Sequence, residues 1–197
     1  MRRALLLAFA LAGMTACPTT LPHYNYGAEP DPRRKEFVVG AGDELTVSVW
    51  KNPDLSTNMR VRLDGTVSMP LIGDVKAAGR TVAELREEIT ERLVPYLKET
   101  SAVVTVSVGE IHSYSFTVMG NVDRPGMFNP RRYVTIMEAL GMAGDVNRFA
   151  AAERIVIVRK KPGGKAVRIP IDYRAIASGR RPDQDLVLVS GDVVYVP

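Results

Sequence analysis

Apolar and polar positions alternate from Glu44 to Trp50: Leu45, Val47 and Val49 are apolar, Thr46 and Ser48 polar. A period of two predicts a strand with one buried face. Asn52-Pro53-Asp54 stops it, because proline has no N–H for a ladder and Asn and Asp close turns on themselves. Alternation resumes at Met59, Val61 and Leu63, breaks at Asp64-Gly65, and continues at Val67 and Met69. An odd loop sets Leu63 opposite Val67 and Val61 opposite Met69, which predicts a hairpin with a bulge beside Gly65. The period then changes. Thr81-x-x-Glu84 is a capping box, and behind it Val82, Leu85, Ile89 and Leu93 fall on one helical face, with Arg86, Glu87, Glu88, Glu91 and Arg92 opposite. Pro95 ends or kinks that helix, and Val103 to Val108 alternates again.

The second half repeats the scheme. Tyr114, Phe116 and Val118 alternate with Ser115, Thr117 and Met119. Arg124-Pro125-Gly126-Met127 reads as a type II turn, with glycine supplying positive φ at the third place. Thr135-x-x-Glu138 is a second capping box, whose helix stops near Ala143 with Gly144 as a left-handed cap. Arg154 to Lys160 is a strand, Pro162-Gly163-Gly164 turns it into Ala166 to Ile169, and Asp172 to Ser178 is a short helix closed by Gly179. Leu186 to Val189 and Val193 to Val196 finish the sheet. Gly42-Asp43 and Gly191-Asp192 each precede an alternating strand, an internal echo with too few copies for a solenoid.

The pattern predicts an α+β chain of two small tandem β-rich domains, each with a helix packed on a mixed or antiparallel sheet. The first spans about residues 36–110 and the second 111–197. Residues 17–35 hold Pro18, Pro22, Pro30 and Pro32 without periodicity and read as a linker. Tyr24 and Tyr26 within it are equally candidates for packing on a neighbouring subunit.

Composition changes this picture mainly at the N-terminus. The 197-residue chain is 46% hydrophobic and 24% charged, which is ordinary for a folded protein. Its formal charge is +4, two of it from Arg2 and Arg3, too small and dispersed an excess for a nucleic-acid partner. The one basic cluster, Arg159-Lys160-Lys161, reads as a solvated hairpin end. Residues 1–16, MRRALLLAFALAGMTA, have a basic start, an apolar run too short to span a bilayer, and small residues at the end. That is a secretory signal. Met14-Thr15-Ala16-Cys17 resembles a lipobox, in which the cysteine takes a diacylglycerol and becomes the mature N-terminus; Met14 stands where leucine is more usual. Cys17 is the single cysteine, so neither an intramolecular disulfide nor a cysteine zinc cluster can form. Pro18, not an acidic residue, follows it, which by analogy favours the outer membrane over inner-membrane retention.

Candidate chemistry is sparse. His23 and His112 form no H-x-x-x-H pair, and there is no nucleophile elbow or P-loop. No cofactor and no metal site is expected. Asp43 and Asp192 sit after glycine in tight turns, as does Asp64 before Gly65. Each could serve as acid, base or calcium ligand, but the position favours a carboxylate that accepts from turn N–H groups. Trp50 and Tyr133 are candidate sugar contacts, although Trp50 at a strand end reads first as packing.

Val39-Gly40-Ala41-Gly42-Asp43 with Leu45 to Trp50, then Asp64-Gly65-Thr66-Val67 with Met69-Pro70-Leu71-Ile72-Gly73, resembles the signature of the bacterial polysaccharide export proteins, the Wza-type outer-membrane family. Val118 to Gly126 with Leu140-x-x-Ala143-Gly144 resembles the soluble-ligand-binding β-grasp (SLBB) domain that follows the export domain in that family. The resemblance implies a non-catalytic, homo-oligomeric ring in the periplasm, anchored through Cys17, that passes a capsular or exopolysaccharide chain. It also implies an inner-membrane polysaccharide co-polymerase as partner. Many members continue into an amphipathic pore helix past the final strand; this sequence stops at Pro197, so the expectation is a short form that relies on a separate outer-membrane barrel. The competing readings are a lipoprotein module that binds a soluble ligand or sugar without forming a conduit, and a periplasmic hydrolase.

Overall fold

The computed structural model describes residues 23–97, 103–161 and 163–197. Residues 1–16, expected as a secretory signal, and Cys17 lie outside the described residues. The chain is α+β, with three antiparallel or mixed sheets and helices packed on them.

In the first domain β1 (Glu44–Val49) is the middle strand of three, flanked antiparallel by β2 (Thr57–Arg60) and β5 (Val104–Val108). Leu45 stands opposite both Met59 and Val108, and Val47 opposite Val106. The alternation buries Leu45, Val47 and Val49 against Leu85, Ile89 and Leu93 of α1 (Val82–Leu93). Thr81 and Glu84 cap that helix reciprocally, and Pro95 ends it in a 3-10 turn over Val94–Tyr96.

The hairpin expected across Asp64-Gly65 is different. β3 (Thr66–Met69) pairs with β4 (Gly73–Lys76), Val67 facing Val75, and not with the Met59–Leu63 stretch. The reason is a tight turn further on: Leu71 and Gly73 have positive φ, so the chain folds straight back after Met69, whose partner is Gly73. β2 pairs with β1 along one edge, where Val61 also exchanges bonds with the turn at Gly42 and Asp43. Only one rung, from Arg62 N–H to the Thr66 carbonyl, crosses Asp64-Gly65. Leu63 is left at the tip, 96% exposed. The irregularity near Gly65 falls on the other side: Ala77 and Ala78 N–H both donate to its carbonyl.

The second domain has one five-stranded sheet, in the order β7 (Gly126–Phe128), β6 (Phe116–Gly120), β10 (Val193–Val196), β8 (Ile155–Lys160), β9 (Ala166–Ile171). The last strand lies in the middle, parallel to β6 and antiparallel to β8. Phe116, Val118, Ile155, Ile157 and Val194 form the buried face, covered by Ile136, Ala139 and Leu140 of α2 (Ile136–Met142) and by Ile176 of α3 (Tyr173–Ala177). Thr135 and Glu138 form the second capping box, and Gly144 follows at φ 82°.

Two local expectations fail here. Gly126 has no positive φ; it opens β7 opposite Val118. The left-handed residue is Gly120, where a Cβ would lie 2.0 Å from the Val196 carbonyl oxygen, so only glycine lets β10 close on β6. The following loop is held by Arg124 N–H on the Ala143 carbonyl and by the Val122–Val146 bridge. Leu186 to Val189 is not a strand. It touches the start of α2 through a single bridge, Val187 to Thr135, and its Leu188 fills the core.

The proline-rich stretch is no free linker over its described part. Tyr26 is buried in the second domain's core and donates to the Pro170 carbonyl at 2.7 Å. Tyr24 packs on it with ring centroids 5.2 Å apart. Both tyrosines thus pack on this chain's own second domain. Residues 24–34 form a strap that runs over the second domain before the chain enters the first.

Candidate functional site: the junction between the domains

Asp43 and Asp192 occupy equivalent turns. Gly42 and Gly191 have φ of 93° and 83°, and each aspartate folds back to accept from the N–H three residues earlier, Gly40 at 2.8 Å and Val189 at 2.9 Å. The internal echo is therefore one local structure used twice. Its two copies do different things.

Asp43 is fully buried and reaches across the domain boundary. Besides Gly40 N–H it accepts from His112 N–H at 2.8 Å, Ser113 N–H at 2.7 Å and the Ser113 hydroxyl at 2.8 Å. Four donors fill the roughly four lone-pair sites of a carboxylate. No lone pair is left for a calcium ion or a substrate proton. Gly40 is needed for the same contact: a Cβ there would lie 2.3 Å from that of Ser113. From the other side, the Ser190 hydroxyl donates to the Ser113 carbonyl at 2.6 Å and Gly191 N–H to the Ser115 carbonyl at 2.7 Å. Residues 112–115 are thus gripped by both Gly-Asp turns.

Asp192 pairs with Arg159, whose side chain is 3% exposed, through Nη2 at 2.6 Å and Nε at 3.0 Å. Arg159 is the inward continuation of Ile155 and Ile157, so the basic cluster is not all solvated. Its other nitrogen donates to Glu29 of the strap at 2.9 Å, and Glu29 also accepts from Lys161 at 2.9 Å and from the Tyr24 hydroxyl at 2.5 Å. Burial alone would raise the Glu29 carboxyl; the bonds from Tyr24, Lys161 and Arg159 outweigh it and hold the group below the usual carboxylate range. Burial, then the bond to Glu29, pushes Tyr24 up to about 12. The period-two register of β8 could have flagged Arg159; nothing in the sequence pointed to Glu29 or Ser113.

Asp64 is exposed and accepts from Thr66 N–H at 3.0 Å and the Thr66 hydroxyl at 2.6 Å, which lowers its carboxyl. It stabilises its own turn and touches neither clamp.

Between the strap and the two domains lies a cleft of about 630 Å³. Its apolar walls include Phe37, Ile111, Tyr114 and Tyr133, and cations stand around it at Arg33, Lys35, Arg131 and Arg132. Tyr133 meets Tyr114 edge-on, centroids 4.9 Å apart at 71°, and Tyr114 is itself fixed by a bond to the Leu188 carbonyl. Trp50 is elsewhere: it is 66% exposed beyond the far end of β1, so the packing expected of it does not occur, and the two candidate sugar contacts are not brought together. Glu44, Glu110 and His112 present ligand atoms within 4.8 Å of one another, a grouping the sequence did not suggest. Glu44 is already ion-paired with Arg60 and all three are partly or fully open to water, which weakens the case for a cation there. Among the described residues no helix is long and apolar enough to cross a membrane.

Comparison with known proteins agrees with this division. Residues 31–109 match the polysaccharide biosynthesis/export protein family and residues 115–170 the SLBB domain. The chain is 26% identical to the EPS I polysaccharide export outer membrane protein EpsA of Ralstonia nicotianae, over 94% of its own length and 54% of the relative's. It is 31% identical to the protein of the same name from Ralstonia solanacearum, over 56% of its length and 35% of the relative's. It is 27% identical to the exopolysaccharide production protein ExoF of Rhizobium meliloti, over 62% and 31%. The chain therefore spans about half the length of the first relative and about a third of the other two.

Proposed function

The chain belongs to the polysaccharide export protein family, and from that premise we propose that it is a non-catalytic wall segment of an export channel for an extracellular or capsular polysaccharide. In this reading several copies ring a periplasmic passage at the outer membrane. Each is held there by acyl chains on Cys17, and the inner-membrane partner is a polysaccharide co-polymerase. The observation that carries the reading is the ordered pair of export and SLBB domains across most of the chain. Two further features support it. The conspicuous carboxylates at Asp43 and Asp192 are consumed by structural bonds. Trp50 and Val103, hydrogen-bonded neighbours through their backbones, leave large apolar side chains in water, as subunit contact surfaces do before assembly.

A strain lacking the protein should synthesise polymer and retain it inside the cell; normal surface polymer, with redundant exporters removed, would refute the reading. Cys17→Ser should release the protein from membranes, and labelled fatty acid should enter the wild-type chain but not the variant. The cleft favours a second reading, a lipoprotein that holds a soluble sugar without conducting it. Oligomeric state separates the two, since a strict monomer cannot enclose a passage.

A further inference from the structure

We propose that the cleft between the two domains binds an acidic sugar unit of a glycan chain, gripping the ring on Tyr133 and the carboxylate with Lys35 and Arg131. The inference deepens the export reading by naming the polymer class, and takes from that reading only the source of the glycan. Three observations lead to it. The size, about 630 Å³, is that of a small-ligand site. The walls are aromatic and rigid: Tyr133 is half-buried and locked edge-on against Tyr114, so its ring is presented in a fixed orientation. A pyranose has an apolar C–H face and a polar edge, and the C–H face suits the electron-rich face of an aromatic ring.

Charge then selects among sugars. Of the four cations around the cleft, Arg33 is neutralised by Asp31 at 2.9 Å and Arg132 by Glu138 at 2.9 Å. Lys35 has no acidic partner among the described residues, and Arg131, its side chain 89% exposed, meets only Glu110 at 3.6 Å. Two positive groups are left for an incoming anion. Neutral sugars are ordinarily held by side-chain amides and carboxylates that bond their hydroxyls. The lining has no Asn, Gln or Asp, and its one Glu is engaged by Arg132. The chemistry on offer is therefore ring stacking plus a charge contact at an exposed rim, weak enough for a polymer to enter and leave.

The test is a titration of the full chain with a galacturonic acid hexamer and, in parallel, with a neutral maltohexaose, read by heat or by amide shifts. The acidic hexamer should bind and weaken as salt is raised, and the neutral one should not. The exposed pair Lys35→Glu with Arg131→Glu should lower affinity about tenfold or more, two charge contacts being reversed. Tyr133→Ala should weaken binding while Tyr133→Phe keeps it, the phenylalanine serving as the folding control. Equal binding of both hexamers, no binding of either, or binding indifferent to the charge reversal would overturn the proposal. So would capture by anionic phosphatidylglycerol vesicles that the hexamer cannot displace, or shifts at the cleft that track self-association alone. The two readings fail separately: normal export without the protein sinks the channel whatever the titration gives, and an indifferent titration sinks the cleft whatever the strain does.

Discussion

At the scale of single residues, the most consequential side chain is Arg159. It is buried between Asp192 on its own sheet and Glu29 on the strap. Removing one partner of a buried ion pair leaves a charge without compensation, so Asp192→Ala should cost about 3–5 kcal/mol in urea unfolding. Acid should act through Glu29. Its folded carboxyl lies below the ordinary value because three donors overcome its burial. A group depressed on folding stabilises fully above its unfolded value, about 4.3, and loses that contribution as pH falls through the lower folded value. The wild-type advantage over Glu29→Gln should thus be full at neutral pH and shrink toward zero in strong acid, measured as the difference in urea midpoint. Much of this was legible only in part. Alternation along Ile155, Ile157 and Arg159 reveals an arginine facing inward, but its acid lies 130 positions away on a stretch without periodicity. Local pattern cannot report a partner brought in by tertiary packing.

At the scale of elements, the strands and helices with strong periodicity were readable and the connections were not. Both capping boxes lie where Thr81 and Thr135 predict them, because a cap is a contact between residues three apart. Thr81→Ala should cost about 1 kcal/mol of thermal stability, the usual worth of an N-cap, with α1 otherwise intact. The Asp64-Gly65 hairpin misled because alternation gives the face of a strand and not its partner; β3 folds back on β4 through the turn at Leu71 and Gly73. Leu186 to Val189 is apolar enough for a strand, yet the place beside β8 is taken by the C-terminal β10. That insertion depends on Gly120. Gly120→Ala would combine a left-handed backbone, about 1–2 kcal/mol for an L-residue, with a clash on Val196. The expected result is a large drop in melting temperature, whereas Gly163→Ala, also left-handed but with open space around it, should lose only the backbone part.

At the scale of the whole molecule, the two domains are joined less by their linker than by Asp43. Its carboxylate ties the first β-turn of one domain to the opening backbone of the other. Asp43→Ala would strand three backbone donors, each worth about 1–3 kcal/mol when buried without an acceptor. Unfolding should split into two transitions by calorimetry, while Asp64→Ala should leave a single one. A junction tied this way suits the proposed wall segment, since subunits that flex at the centre would not hold a lumen open. The family signature and the two-domain order were visible in the sequence because they reside in turn glycines and aspartates fixed by local geometry. The cleft was not, because its walls come from three separate stretches of chain that only the folded strap and domains bring together.

The proposed ring is tested most directly by the native mass of the protein extracted from membranes in mild detergent. The expected result is a single closed oligomer of fixed stoichiometry that persists on dilution. A monomer at every accessible concentration would contradict it, because one copy of these two small domains cannot surround a passing polymer.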